Sequence, residues 1–437
     1  MRSLESVHEP AVDETLYRAK LDSGLEILVL PKPGFQQKYA VFGVGYGSVD
    51  NTFVLPGTAQ ATQVPDGIAH FLEHKLFDKK EGNVFEHFAR LGASANAYTS
   101  YAATAYLFST TDGFLEALRL LLEFVTRPYF SERSVRKEQG IIEQEIRMYE
   151  DDPDRCVGLN LLQALYRVHP IRIDIGGTVE SIRRINPDLL HLCHRAFYRP
   201  DNMVLAVAGA LRPETVVEIA EEVLGGHADP EATKVERTYP DEPAEISRSW
   251  VSQELVVSKP RYCLGFKETE GPETGTRLLK RYLVTNLVLQ ALLGKSSGCF
   301  QKLYEAGLID DGFGGRYLGE RSFGHTIIGG ETPDPQELNR QLSRCLQEAR
   351  EQGIDPLHFD RIKRRELGRI IQSFDSPDAI ANGMVIHRLK DTSIMDSIPV
   401  LRDVSLEDLN RRLREHLNPE RSAVSVILPR GSSSVPR

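Results

Sequence analysis

Apolar and polar positions change period several times along the chain, and each change marks an element. Residues 24–32, "GLEILVLPK", and 39–48, "YAVFGVGYGS", are short apolar runs rich in β-branched and aromatic residues. They predict two strands that pair as antiparallel neighbours across "PGFQQ". Residues 93–110, "ASANAYTSYAATAYLFST", alternate and are rich in Thr and Tyr, which predicts further strands. "TDGFLEALRLLLEFVTRP" and "SERSVRKEQGIIEQEIRMYEDDPD" carry the helical period instead, the second stopped at Pro153. A shorter helix is expected within "DGIAHFLEHKLFD", residues 66–78, with Asp66 as N-cap after Pro65. At about 100° per residue, Ile68, Leu72 and Leu76 form one stripe flanked by Phe71 and Ala69, while His70, Glu73 and His74 share the opposite face.

The pattern repeats. "NPDLLHLCHRAFYRPDNMVLAVAG" (186–209) lines up with "SLEDLNRRLREHLNPERSAVSVIL" (405–428): an amphipathic helix, a turn with Pro200 or Pro419, then a β-branched strand. Upstream, "YAVFGVGYGS" matches "RYCLGFKET" (261–269) at nearly the same offset. A repeat of half a chain signals a duplicated domain rather than a solenoid. The polar stretch 225–250, rich in Pro and Glu, reads as the connection between the copies. The expected fold class is α+β, two tandem homologous domains, each an antiparallel-rich sheet layered with helices. The first spans 1–232, the linker 233–247 and the second 248–437, and "PRGSSSVPR" at the end reads as a frayed tail.

Composition narrows the classes. At 437 residues the chain exceeds what one core serves. A net charge of −9 argues against a nucleic-acid surface, which needs a basic face. "MRSLESVHEPAVDE" holds no apolar signal region, and no run approaches the roughly 20 apolar residues of a membrane span. Cys156, Cys193, Cys263, Cys299 and Cys345 are scattered and odd in number, which suits buried thiols in a reducing cytoplasm. The expected location is cytoplasmic, with no nucleic acid and no membrane span.

Histidines at i and i+4 of one helix can direct imidazole nitrogens to one metal, which zinc accepts at roughly 2.0–2.1 Å. Glu73, one turn from His70, stands close enough to hold the proton of a water there. A hydrolytic zinc needs a third protein ligand and an open fourth position. The helix "SVRKEQGIIEQEIRMYEDD" offers candidates: Glu138 and Glu145 are two turns apart on one face, Glu143 points nearly opposite Glu145, and Glu150 lies toward the end. A Glu138/Glu145 pair can supply a ligand and a carboxylate that supports the site.

"HFLEH", followed about 70 residues later by "EQGIIEQE" in a duplicated chain, resembles the pitrilysin/insulysin family of inverted-motif zinc metallopeptidases, which includes the mitochondrial processing peptidase. "GASANAYTSYAATAY" resembles the family's substrate-strand segment and "GTVESIRRI…YRPDNMVLAVAG" its closing helix and strand, so the likeness spans nearly the whole chain and is greatest to the small two-domain bacterial members. The resemblance implies one Zn2+ per chain on His70, His74 and Glu145, Glu73 as the general base, and Glu138 as a supporting carboxylate. It also implies that Asn96 and Ala97 form the edge where extended peptides add as a β-strand. The implied function is zinc-dependent endopeptidase, acting on peptides in a chamber between the domains.

One departure matters. The family's second half usually carries an Arg and a Tyr that contact substrate, in a segment like "FQxLRExxGLxY". Here it reads "CFQKLYEAGLIDDGFGG": Tyr304 stands where Arg is expected, Asp310 or Asp311 near the Tyr position, and Arg316 and Tyr317 are out of register. The helix matching the metal helix, "LVTNLVLQALLG" (283–294), has no ligands. The expected partner is therefore a homologous inactive subunit that supplies Arg and Tyr in a heterodimer. The alternatives are a self-sufficient homodimeric peptidase using Tyr304 or Arg316, and a non-catalytic scaffold subunit, against which the complete metal motif argues. "GKSSG" (294–298) lacks the first glycine of a phosphate loop, Leu289 standing there, and reads as a turn; "HLCH" (191–194) sits on an amphipathic helix without a fourth ligand and reads as structural, as does Trp250.

Overall fold

The computed structural model describes residues 4–80, 82–224, 235–271 and 273–431. Positions 233–234 of the expected linker and 432–437 of the expected tail lie outside the described residues. Among those described, no helix is long and apolar enough to cross a membrane. The chain forms two compact units, each assembled from three stretches: 1–146, 174–239 and 370–396 in the first, and 147–173, 240–369 and 397–437 in the second.

The first unit is built on seven strands: β1 (Glu5–Glu9), β2 (Glu14–Lys20), β3 (Glu26–Pro31), β4 (Lys38–Val44), β5 (Ser94–Thr99), β6 (Thr104–Thr110) and β7 (Met203–Gly209). Their spatial order is β1-β2-β3-β7-β4-β6-β5. The expected pairing of β3 with β4 is therefore corrected: β7 lies between them, parallel to β3 and antiparallel to β4. The physical reason is burial. "MVLAVAG" is buried at every position, and a strand covered on both faces belongs at the centre of a sheet. The link at 32–37 need only cross two strand spacings, about 10 Å, which six residues span easily.

The faces of this sheet divide by alternation. Phe42 and Val44 of β4, with Met203, Leu205 and Val207 of β7, join one core with α1 (Ile68–Leu76) and the helix Phe114–Thr126. The other helix that ligand chemistry concerns is α2 (Glu132–Glu150); it ends before Pro153, which opens the next helix, α3 (Pro153–Leu165), from inside its first turn.

The second unit holds β8 (Trp250–Leu255), β9 (Arg261–Lys267), β10 (Gly314–Gly319), β11 (Gly324–Glu331) and β12 (Ser422–Pro429), ordered β8-β12-β9-β11-β10. Here β12 is parallel to β8 and antiparallel to β9, the same arrangement as β7 between β3 and β4. The long helix α4 (Gly275–Leu293) lies against β10, with most of its apolar residues buried.

Each unit takes one helix from the far half of the sequence. In the first it is α5 (Pro377–Leu389), packed on β4 and β7; in the second it is α3, packed on β9 and β12. Both docks use a glycine. A Cβ on Gly43 would lie 2.2 Å from Val385 Cγ1, and one on Gly265 would lie 2.7 Å from Leu165 Cδ1. Arg388 further pins α5 by a two-point pair with the buried Glu26.

The exchange has a consequence for fragments. Ile380, Met384 and Val385 are almost fully buried. Covering three such side chains is worth about 5–9 kcal/mol as an upper figure, comparable with the whole stability of a domain. Residues 1–232 expressed alone are expected to be insoluble or lack a cooperative melt, and co-expression with 233–437 is expected to restore both. Solubility and circular dichroism check it; a stable, cooperatively folded 1–232 would contradict it.

Candidate metal centre

Helix α1 begins without the expected cap. Asp66 instead accepts a hydrogen bond from Asn51 Nδ2 at 2.8 Å, and the cap position is Gly67, with φ of 86° and no side-chain bond. The correction has a steric cause: a Cβ on Gly67 would stand 2.4 Å from Gly176 O, and the φ itself is one that favours glycine. The turn 174–178 that crowds this end is fastened by Ser181, whose Oγ donates to Asp66 O at 2.8 Å.

From that start the helical period does what the pattern predicts. Ile68, Ala69, Phe71, Leu72 and Leu76 are buried in the first unit's core. His70 and His74 project from the other side with ring centroids 4.5 Å apart. Lys75, which sequence reading passed over, is fully buried and donates to Asp78 at 2.6 Å.

Helix α2 buries Val135 and Ile142, seven residues apart, and presents Glu138 and Glu145, also seven apart, to α1. The Glu145 carboxylate lies between the imidazoles, Oε1 3.8 Å from His70 Nε2 and Oε2 3.7 Å from His74 Nε2. Two ligands each bound to zinc at about 2.05 Å, at tetrahedral angles, sit about 3.3 Å apart, so these separations need only a small contraction. Among the described residues, His70, His74 and Glu145 are the one group of three or more His, Cys, Asp or Glu whose ligand atoms lie within 4.8 Å of one another. Two imidazoles and one carboxylate are a donor set that fits zinc.

Glu138 does not join that group. Its Oε1 is 3.0 Å from His74 Nδ1. As an acceptor it fixes the proton on Nδ1 and leaves the Nε2 lone pair facing Glu145. Burial pulls the His74 pKa down, but the Glu138 hydrogen bond and the charges of Glu73, Glu138 and Glu145 outweigh it, so the net shift is upward from 6.5. Glu73 is only 8% exposed, and its Oε2 accepts from Thr99 Oγ1 at 2.7 Å. Burial raises its pKa above 4.5, with Glu145 adding to the rise and the Thr99 bond and His74 only partly offsetting it. A carboxyl shifted upward in this way holds a proton more readily than an ordinary one, as a general base that must later return it requires.

Asn96 and Ala97 lie on β5, the edge strand of the sheet. The Ala97 N–H donates to its neighbour's side chain, Asn96 Oδ1, at 2.9 Å. Thr99 on the same strand was missed by sequence reading, although its spacing of two from Ala97 puts it on the same strand face.

In the second unit, Tyr304 is exposed on the helix Gly298–Glu305 and Arg316 is exposed on β10. Tyr317 is buried, and its phenol donates to Glu268 at 3.0 Å. "GKSSG" is a turn whose Ser297 caps the next helix, accepting from Phe300 N at 3.1 Å. In "HLCH", Cys193 is buried and His194 Nε2 bonds Val125 O at 2.9 Å, a structural arrangement.

A family model described as insulinase (peptidase family M16) matches residues 52–179, and one described as the peptidase M16 inactive domain matches residues 184–366. The Bacillus subtilis protein YmfH, named an uncharacterized zinc protease, is 40% identical over 427 residues, covering 98% of this chain and 100% of its own. YmxG of the same organism, named likewise, is 29% identical over 388 residues, 86% of this chain and 92% of its own. Among solved structures, an Alicyclobacillus acidocaldarius protein described as an M16-like peptidase matches at 38% identity with a TM-score of 0.93, over 97% of this chain and 100% of that one. A relative this similar along its full length, with the two models matching in tandem, places the chain by more than its motif: it belongs to the insulinase family, peptidase family M16.

Proposed function

We propose that the chain is a zinc-dependent endopeptidase subunit that hydrolyses extended peptides, with one Zn2+ held by His70, His74 and Glu145. The observation that carries this is the convergence of three donors beside a buried carboxylate that is not one of them. A zinc ion bound there would supply Lewis acidity, polarising the scissile carbonyl and making water more acidic. Glu73 takes a proton from the water as it adds to that carbonyl, then returns the proton to the departing amine, so the proton count closes. Glu138 holds His74 in the tautomer that offers Nε2. The substrate adds along β5 by main-chain hydrogen bonds, with Asn96 and Ala97 at the edge, which selects unfolded peptide over folded protein. The assembly encloses this in a chamber, in the cytoplasm.

The substrate-contacting Arg and Tyr come from a homologous partner. Tyr317 does not stand in for the missing tyrosine, because its phenol donates to the Glu268 carboxylate. The self-sufficient reading has exposed Tyr304 or Arg316 to use, and the rate with and without a partner separates the two. Loss of an oxyanion-type donor costs about 10²–10³ in rate. The purified chain is therefore expected to cleave an unstructured peptide mixture slowly, and a homologous subunit bearing Arg and Tyr is expected to accelerate it by about that factor. Equal rates with and without the partner would establish self-sufficiency; no cleavage in either case would favour the scaffold.

A further inference from the structure

The carboxylate of Glu73 is held from outside its own helix. Thr99 ends β5, and its hydroxyl sits 2.7 Å from Glu73 Oε2. An ionised carboxylate only accepts, so the hydroxyl proton points at Glu73. A second hydroxyl, on fully buried Thr104, lies 3.3 Å from Thr99 Oγ1 and donates to Tyr46 O at 2.9 Å.

The turn that follows Thr99 is fixed at several points. Ser100 Oγ donates to Ala103 O at 2.9 Å and accepts from Ala103 N at 3.0 Å. Ser48 N and Val49 N donate to Ser100 O and Tyr101 O at 3.1 and 3.0 Å. The turn presses on Gly47 so closely that a Cβ there would be 2.3 Å from Tyr101 O. Asp50, 2% exposed, anchors that loop in turn, accepting from Gly47 N at 3.0 Å and Tyr239 Oη at 2.7 Å and pairing with Arg237 Nε at 3.1 Å. The Thr99 hydroxyl is therefore mounted on a strand end with little freedom to swing.

We propose that Thr99 is a positioning residue: it fixes one oxygen of Glu73 so that the other takes up the proton. The inference rests on the reading of Glu73 as the proton acceptor. It also ties the base to the substrate, because Ala97 and Thr99 share one face of β5 and that strand packs on α1. Seating a peptide on β5 and aiming the carboxylate are then tasks of one rigid element. Misplacing a reacting group by about 1 Å can cost 10²-fold, and such a loss falls on kcat rather than KM.

The test compares Thr99→Val, Thr99→Ser and Glu73→Gln in the full chain. T99V is expected to retain zinc and the wild-type melting point, to keep KM within about twofold and to lose about 10–100-fold in kcat, with T99S recovering most of it. Crystal structures are expected to show the Glu73 carboxylate displaced in T99V and restored in T99S, a readout independent of activity. Thr99→Ala is carried alongside, so that misfolding of T99V leaves the question answerable. Wild-type kcat in T99V, an undisplaced Glu73, or T99S as slow as T99V would overturn the inference. A fully active E73Q would instead sink the reading of Glu73, whereas an inactive E73Q beside a wild-type T99V would sink only the role of Thr99.

Discussion

Replacing Glu73 by glutamine is expected to remove about 10²–10⁴-fold of peptide-bond hydrolysis while leaving zinc in place. Glutamine has the same shape, and its carbonyl oxygen can still accept the Thr99 hydrogen bond, but it cannot take a proton. None of the three converging donors is touched. The stability readout has a definite sign. Burial, with Glu145 nearby, lifts the Glu73 pKa in the fold, so as pH rises past the ordinary carboxyl value ionisation costs the metal-free fold stability, and the full cost is present above the raised pKa. Removing the charge relieves that cost, and E73Q should melt no lower than the wild type near neutral pH. The measurement is kcat/KM on an unstructured peptide together with zinc content and a melting curve. Hydrolysis within about tenfold of the wild type, with zinc retained, would remove Glu73 from the chemistry.

The part of this site that is local in sequence was legible there. Three polar residues on one face of a short helix, and two glutamates seven apart on another, follow from the helical period alone. Which glutamate meets which imidazole does not. Glu145 spans both Nε2 atoms while Glu138 takes His74 Nδ1, an outcome of how α2 crosses α1. The sequence pattern left that choice open, and only the family resemblance assigned it. Long-range contacts account for the remaining differences. The insertion of β7 between β3 and β4 is decided by burial of a strand some 160 positions downstream. Gly67 rather than Asp66 begins α1 because Gly176 presses against it. The exchange of α3 and α5 leaves no local trace except two glycines in strands, Gly43 and Gly265, whose meaning depends on what packs over them. Thr99 looked like one more strand threonine until the fold set it against Glu73.

Loss of metal is the second large effect expected. His74→Ala removes one of three protein donors and should release zinc during ordinary purification, abolishing hydrolysis. Glu138→Gln leaves the donors intact and should weaken zinc by about 10–100-fold, because the partner that orients His74 is impaired. The same site predicts a pH dependence. Zinc needs neutral His74, yet the surrounding carboxylates raise its pKa above 6.5 and favour the protonated ring in the metal-free chain. Zinc affinity should thus hold at high pH and begin to fall, as pH drops, earlier than for an ordinary histidine. Titration with a competing chelator across that range checks the sign.

The most direct test is anomalous diffraction at the zinc edge from crystals of the chain grown with zinc. The account predicts one peak per chain, about 2.0–2.2 Å from His70 Nε2, His74 Nε2 and a Glu145 oxygen, with Glu73 close by but not coordinating. A site without a peak, or a peak held by other residues with Glu145 turned away, would contradict it.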